Sequence, residues 1–188
     1  MGIPNTERRR DLTPTVSITD YSGEPDTSNL LKPSGGNENF LKFINAELIP
    51  AIDKRYKTKP YKILAGHSFG GLASINCLLT HPDMFDAYIA VSPSFWWDNR
   101  YLLKLADVKL KNYSTLNKML FYSDGNEGGS SSFFHLDLLT FDSLITSKNL
   151  IGLSYMYKHY PTETHMTEPI VAYFDALRFI FKEWETHK

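Results

Sequence analysis

The run Gly66-His67-Ser68-Phe69-Gly70 constrains this chain more than any other feature, because of what flanks it. The apolar stretch 61–65 leads in, and Leu72, Ile75, Leu78 and Leu79 repeat at helical spacing behind it until His81-Pro82 stops the pattern. Strand, tight turn and helix are the order that a Gly-x-Ser-x-Gly elbow demands. The turn is strained, glycines are expected on both flanks where a Cβ would crowd the backbone, and the serine hydroxyl stands exposed at the tip. The pentapeptide alone is common; in this setting it marks Ser68 as a nucleophile.

The rest of the chain repeats the same alternation. Residues 87–91 read as a second strand that breaks at Ser92-Pro93 and runs into Phe95, Trp96 and Trp97. A third strand, 118–122, leads into Ser123-Asp124-Gly125-Asn126-Glu127-Gly128-Gly129, followed by a helix with Leu136, Leu139, Leu144 and Ile145. A fourth strand, 152–159, precedes the loop that carries His165. The last helix starts near Thr167 with Pro169 early in it, and Ile170, Phe174, Leu177, Phe181 and Trp184 share one side. Upstream, residues 1–37 hold Pro4, Pro14, Pro25, Pro33 and Gly35-Gly36 and read largely as loop. An amphipathic helix follows on Phe40, Phe43, Ile44, Leu48, Ile52 and Tyr56, bent at Pro50. Strands alternating with helices predict an α/β fold, a mostly parallel sheet covered on both faces, as one domain over residues 1–188. Sites in such sheets form at the carboxyl ends of the strands, where Ser68, 92–97, 124–127 and His165 all fall.

Charge narrows the partners. Lys and Arg total 20 against 21 Asp and Glu, a formal net charge of −1, which argues against nucleic acid or an anionic membrane as partner. No run of about 18 apolar residues predicts a membrane span. Arg8, Arg9 and Arg10 are followed by no apolar segment, so residues 1–11 do not read as a secretory signal. The single cysteine, Cys77, sits among apolar residues and reads as a buried thiol, which leaves no internal disulfide and no multi-thiolate metal site.

A serine hydroxyl is a weak nucleophile until a base accepts its proton. Of six histidines, His67 abuts the elbow and reads as structural, His81 ends a helix, His135 reads as helix surface and His187 is terminal. His165 lies after the last strand, where the chain order serine, acid, histidine puts the base; His159 competes with it. The acid that orients the imidazole should follow the third strand, which leaves Asp124 and Glu127 open. This chemistry calls for no metal and no organic cofactor.

These segments carry a resemblance. Gly35 to Phe40, Glu47-Leu48-Ile49-Pro50, Gly66 to Gly71 and Ser92-Pro93-Ser94-Phe95-Trp96-Trp97-Asp98 resemble the Putative esterase family, and the likeness runs from Gly2-Ile3-Pro4-Asn5 to the final helix. This branch of the α/β-hydrolases contains enterochelin-type esterases, S-formylglutathione hydrolase, feruloyl esterase domains and mycolyltransferases. The resemblance implies a three-layer α/β-hydrolase sandwich and a serine carboxylic-ester hydrolase acting on a small-molecule ester. Its nucleophile falls on Ser68 and its base on His165. Asn126-Glu127-Gly128-Gly129 is similar to the glutamate segment of the mycolyltransferase branch, so Glu127 is the implied acid. The Phe69 N–H is the implied oxyanion donor. Trp96 and Trp97 resemble the family's aromatic wall at the substrate pocket, although core packing would use the same residues. The family places strands before Gly-Ile-Pro-Asn, whereas Met1 precedes Gly2 directly. The resemblance therefore implies an N-terminally truncated fold, with one oxyanion donor unaccounted for. An exposed sheet edge through which copies could pair is also expected. Acyl transfer, or binding without efficient turnover, would use the same constellation.

Overall fold

The computed structural model describes residues 2–3 and 7–182. A short helix α1 (Arg8–Leu12) opens it, followed by α2 (Asn37–Phe43), a π-helical turn over Ile44–Leu48, and α3 (Ile49–Arg55). Alternation then sets in: β1 (Ile63–His67), α4 (Phe69–Thr80), β2 (Ala87–Val91), α5 (Trp97–Lys109), β3 (Thr115–Gly125), α6 (Phe133–Lys148), β4 (Ile151–Tyr160) and α7 (Glu168–Ile180). The strands pair side by side in the order β1-β2-β3-β4, all parallel. Among the described residues, β1 pairs on one side only.

The strand residues alternate between two cores, as a period of two requires. Tyr88 and Ala90 of β2, with Leu120 and Tyr122 of β3, point to one face and bury Leu72, Ile75 and Leu78 of α4, Leu102 of α5 and Phe141 of α6. Ala87, Ile89, Val91 and Phe121 point the other way, onto Ala172, Ala176 and Ile180 of α7. Every residue of β2 is buried, which explains its unbroken apolar sequence. Cys77 lies in the first core with no exposed surface, and burial pushes its thiol up to about 12, so it packs as an apolar group.

The structure adds detail to four of these expectations. The reading of 1–37 as loop meets α1 and a set of long-range hydrogen bonds: Thr13 Oγ1 accepts from Gly35 N at 2.9 Å, and Asn37 Nδ2 donates to the Asp11 carbonyl at 2.8 Å. Asn76 of α4 donates to Asn37 Oδ1 at 2.8 Å, tying that segment to the core. Pro50 does not simply bend one helix. It lacks a donor and its ring crowds the carbonyl four residues back, and the chain widens into the π turn just before it, where the Ile49 N–H reaches the Ile44 carbonyl. On α6, Leu138, Phe141 and Ile145 are buried, while Leu136 and Leu139 are exposed. On α7, Ile170, Phe174 and Leu177 do share a side, but it faces outward, with Ile170 78% and Phe174 58% exposed. Small Ala172 and Ala176 face the sheet instead, which lets the helix approach it closely. Trp184 and His187 lie outside the described residues, as do Pro4 and Asn5.

Candidate active site

The elbow is built by backbone crowding. Ser68 holds φ 59° and ψ −118°, a strained left-handed conformation between β1 and α4. A Cβ on Gly66 would stand 2.2 Å from the Gly70 backbone, so that position admits only glycine. A Cβ on Gly70 would meet nothing within 4 Å, so only one of the two expected glycines is required by contact. The Ser68 N–H donates to the Val91 carbonyl at 3.0 Å and the Ser94 N–H reaches the Ser68 carbonyl at 3.3 Å, which pins the elbow to the end of β2. The hydroxyls of Ser68 and Ser94 lie 3.3 Å apart.

His165 and Glu127 come together from different loops. His165 Nδ1 stands 3.0 Å from Glu127 Oε1, an ion-pair distance without the alignment of a straight hydrogen bond. Glu127 raises the His165 pKa and burial opposes the rise. The His67 ring lies against His165, centroids 4.4 Å apart, and is lowered to about 4, by burial first and by His165 second. His67 is therefore neutral near pH 7 and backs His165 with an uncharged ring.

Asp124 goes elsewhere. Its Oδ2 meets His135 Nδ1 at 2.7 Å, and its Oδ1 meets His159 Nδ1 and the Tyr157 hydroxyl, each at 2.9 Å. His135, expected on the helix surface, is thus half-buried against Asp124. The ligand atoms of Asp124, His135 and His159 lie within 4.8 Å of one another and could hold a metal ion, but hydrogen bonds among them already satisfy the carboxylate.

A cavity of about 20 Å³, the scale of a single water, is lined by Ser92, Ser94, Trp96, Glu127 and His165 among others. Trp96 faces it. Trp97 does not: it is 1% exposed and donates from Nε1 to the Thr15 carbonyl at 3.1 Å. Phe69 packs against both tryptophans, with ring centroids 5.9 and 5.2 Å away. A much larger groove of about 990 Å³ runs along β1 and reaches His67 and Gly70.

Two residues at the site escaped the sequence reading. Ser92 reads there as a strand break and Glu168 as a helix start before Pro169. In the structure Ser92, at φ 40°, contacts Glu127 Oε1 at 2.6 Å and Glu168 Oε2 as well. Glu168 has no exposed surface. The signal available in the sequence was a carboxylate three residues after the candidate base.

A parallel sheet with helices on both faces and a serine at the strand-to-helix elbow defines an α/β-hydrolase fold. The chain belongs to the Putative esterase family, whose model matches residues 16–127. Among curated relatives, the ferri-bacillibactin esterase BesA of Bacillus subtilis is 36% identical over 121 residues, covering 62% of this chain and 42% of BesA. The siderophore enterobactin esterase of Emericella nidulans is 37% identical over 112 residues, covering 55% of this chain and 37% of that enzyme. Among solved structures, an IroE-like serine hydrolase from Shewanella oneidensis superposes with TM-score 0.87 at 35% identity, over 95% of this chain and 58% of its own. The chain thus spans about two fifths of the length of these curated relatives.

Proposed function

We propose that this chain is a serine carboxylic-ester hydrolase whose substrates are siderophore esters, the compounds named for its relatives. The observation that carries the reading is Ser68 at a strained elbow, on the same sheet end as a His165 raised by Glu127. Ser68 Oγ attacks the ester carbonyl while His165 takes its proton. The Phe69 N–H, at the first position of α4, donates to the developing oxyanion. His165 returns the proton to the leaving alcohol, and water then releases the acyl group from Ser68 by the same path. Glu127 holds the imidazole and stabilises its charged form, as its 3.0 Å approach supports. Trp96 is the aromatic wall of the acyl or leaving-group pocket. Trp97 acts only behind it, through Phe69 and Trp96. A segment lying in the groove along β1 would reach His67 and Gly70 and could bring the second oxyanion donor.

The test is hydrolysis of nitrophenyl butyrate and of enterobactin, with products followed by mass. Ser68→Ala should lower turnover by about a thousandfold or more. Equal activity in the variant removes Ser68 from the chemistry. A second reading, binding without efficient turnover, is favoured by the Ser68 hydroxyl lying against Ser94. Fluorophosphonate labelling separates the two, because an assembled site reacts covalently at Ser68 and a collapsed one does not.

A further inference from the structure

Ser92 Oγ contacts two glutamate oxygens, Glu127 Oε1 at 2.6 Å and Glu168 Oε2, and this cannot be satisfied by the hydroxyl alone. A hydroxyl has one proton. Two close oxygen-to-oxygen contacts need two, so the second proton must sit on a carboxyl group. Glu127 faces an imidazole nitrogen, whereas Glu168 is wholly buried and pairs with no Lys, Arg or His among the described residues. We propose that Glu168 is held as the neutral acid and donates to Ser92, which donates to Glu127, so that a Glu168–Ser92–Glu127 chain positions the carboxylate against His165.

Several features agree with this assignment. Ser92 is 5% exposed and strained at φ 40°, which aims its hydroxyl between the two carboxyls. The groups around Glu168 are mostly acidic or neutral. Glu127 and Asp124 act on it from the end of β3 and the loop beyond, Tyr157 and Tyr160 from β4, and Tyr173 from its own helix; His165 stands just before it in the chain. Burial raises the Glu168 pKa, and Glu127 and Asp124 add to the rise against the pull of the Ser123 and Ser92 hydroxyls. Its Oε1 is buried with no aligned hydrogen-bond partner, a position a neutral acid tolerates far better than an anion. Glu168 is a positioning residue and touches no substrate atom.

The inference rests on the proposed role of His165 and Glu127, but its first test does not. In the full chain labelled with carbon-13 at glutamate carboxyls, one resonance should keep the protonated-acid shift at pH 7 and vanish in Glu168→Gln. If every glutamate is ionised at pH 7, or if the acid signal survives in Glu168→Gln and is lost in Glu127→Gln, the proposal is overturned. The second test is kinetic, on nitrophenyl butyrate. Glu168→Ala and Ser92→Ala should each lower kcat about tenfold with KM little changed, the scale of one lost buried hydrogen bond, and Glu168→Gln should recover most of it because its amide still donates. Equal losses in Glu168→Gln and Glu168→Ala would count against the donor role. Should Ser68→Ala retain full activity, the catalytic reading fails while the carboxyl signal still stands or falls by itself.

Discussion

At the scale of single residues, two carboxylates near one base are sorted by their neighbours. Asp124 is engaged by His135, His159 and Tyr157, which leaves Glu127 for His165. In the proposed mechanism His165 must be neutral to accept a proton, and its pKa is raised, so kcat/KM should climb with pH through a midpoint above the ordinary imidazole value of about 6.5. Glu127→Gln should move that midpoint down, and a pH profile unchanged in the variant would remove Glu127 from the pair. Glu168 has a stability counterpart. A carboxyl raised in the folded state binds more protons there than in the unfolded chain, so stability falls as pH rises from the ordinary carboxyl range toward the raised value. Denaturant melts at successive pH values should show this decline in the wild type and a flatter course in Glu168→Gln.

At the scale of elements, the elbow and the last helix make opposite demands. Gly66→Ala forces a Cβ to 2.2 Å from the Gly70 backbone and should prevent folding or cost several kcal/mol, whereas Gly70→Ala should be neutral or stabilising by up to about 1 kcal/mol. Thermal melts of the two variants compare them directly, and equal losses would contradict the crowding account. On α7 the apolar stripe is outward, so Phe174→Gln should cost less than about 1 kcal/mol, the scale of its exposed stacking under Arg178. Ala176→Leu on the sheet-facing side should cost about 1–3 kcal/mol by overpacking. A larger loss at Phe174 than at Ala176 would mean that another surface covers the stripe. Helix periodicity locates such a stripe and cannot choose which side is buried when the opposite side is lined by alanine.

At the scale of the whole molecule, β1 is paired only to β2 among the described residues, and its Ala65 is exposed beside the large groove. An open edge of this kind invites pairing with a second copy. Light scattering across a concentration series should then show self-association that Ala65→Lys weakens, and a monomer at all concentrations would exclude edge pairing between copies.

What the sequence determined by itself is local or periodic. The elbow was legible because a five-residue pattern forces its own geometry, the strands because their apolar runs are short and punctuated, and His165 as a candidate because the chain order serine, acid, histidine puts a base after the last strand. The tertiary structure alone decided what depends on distance between segments. Asp124 stands near the end of β3 and Glu127 three residues on, in the loop beyond it, and only the approach of His135 and His159 to one and of His165 to the other separates them. Trp96 and Trp97 are neighbours in sequence, yet one faces the cavity and the other the core. Glu168 and Ser92 lie 76 positions apart, and no local pattern records that the fold brings their oxygens together. The reason is physical: backbone preference and hydrophobic period act over a few residues, whereas the partner of a buried polar atom is chosen by the packing of the whole chain.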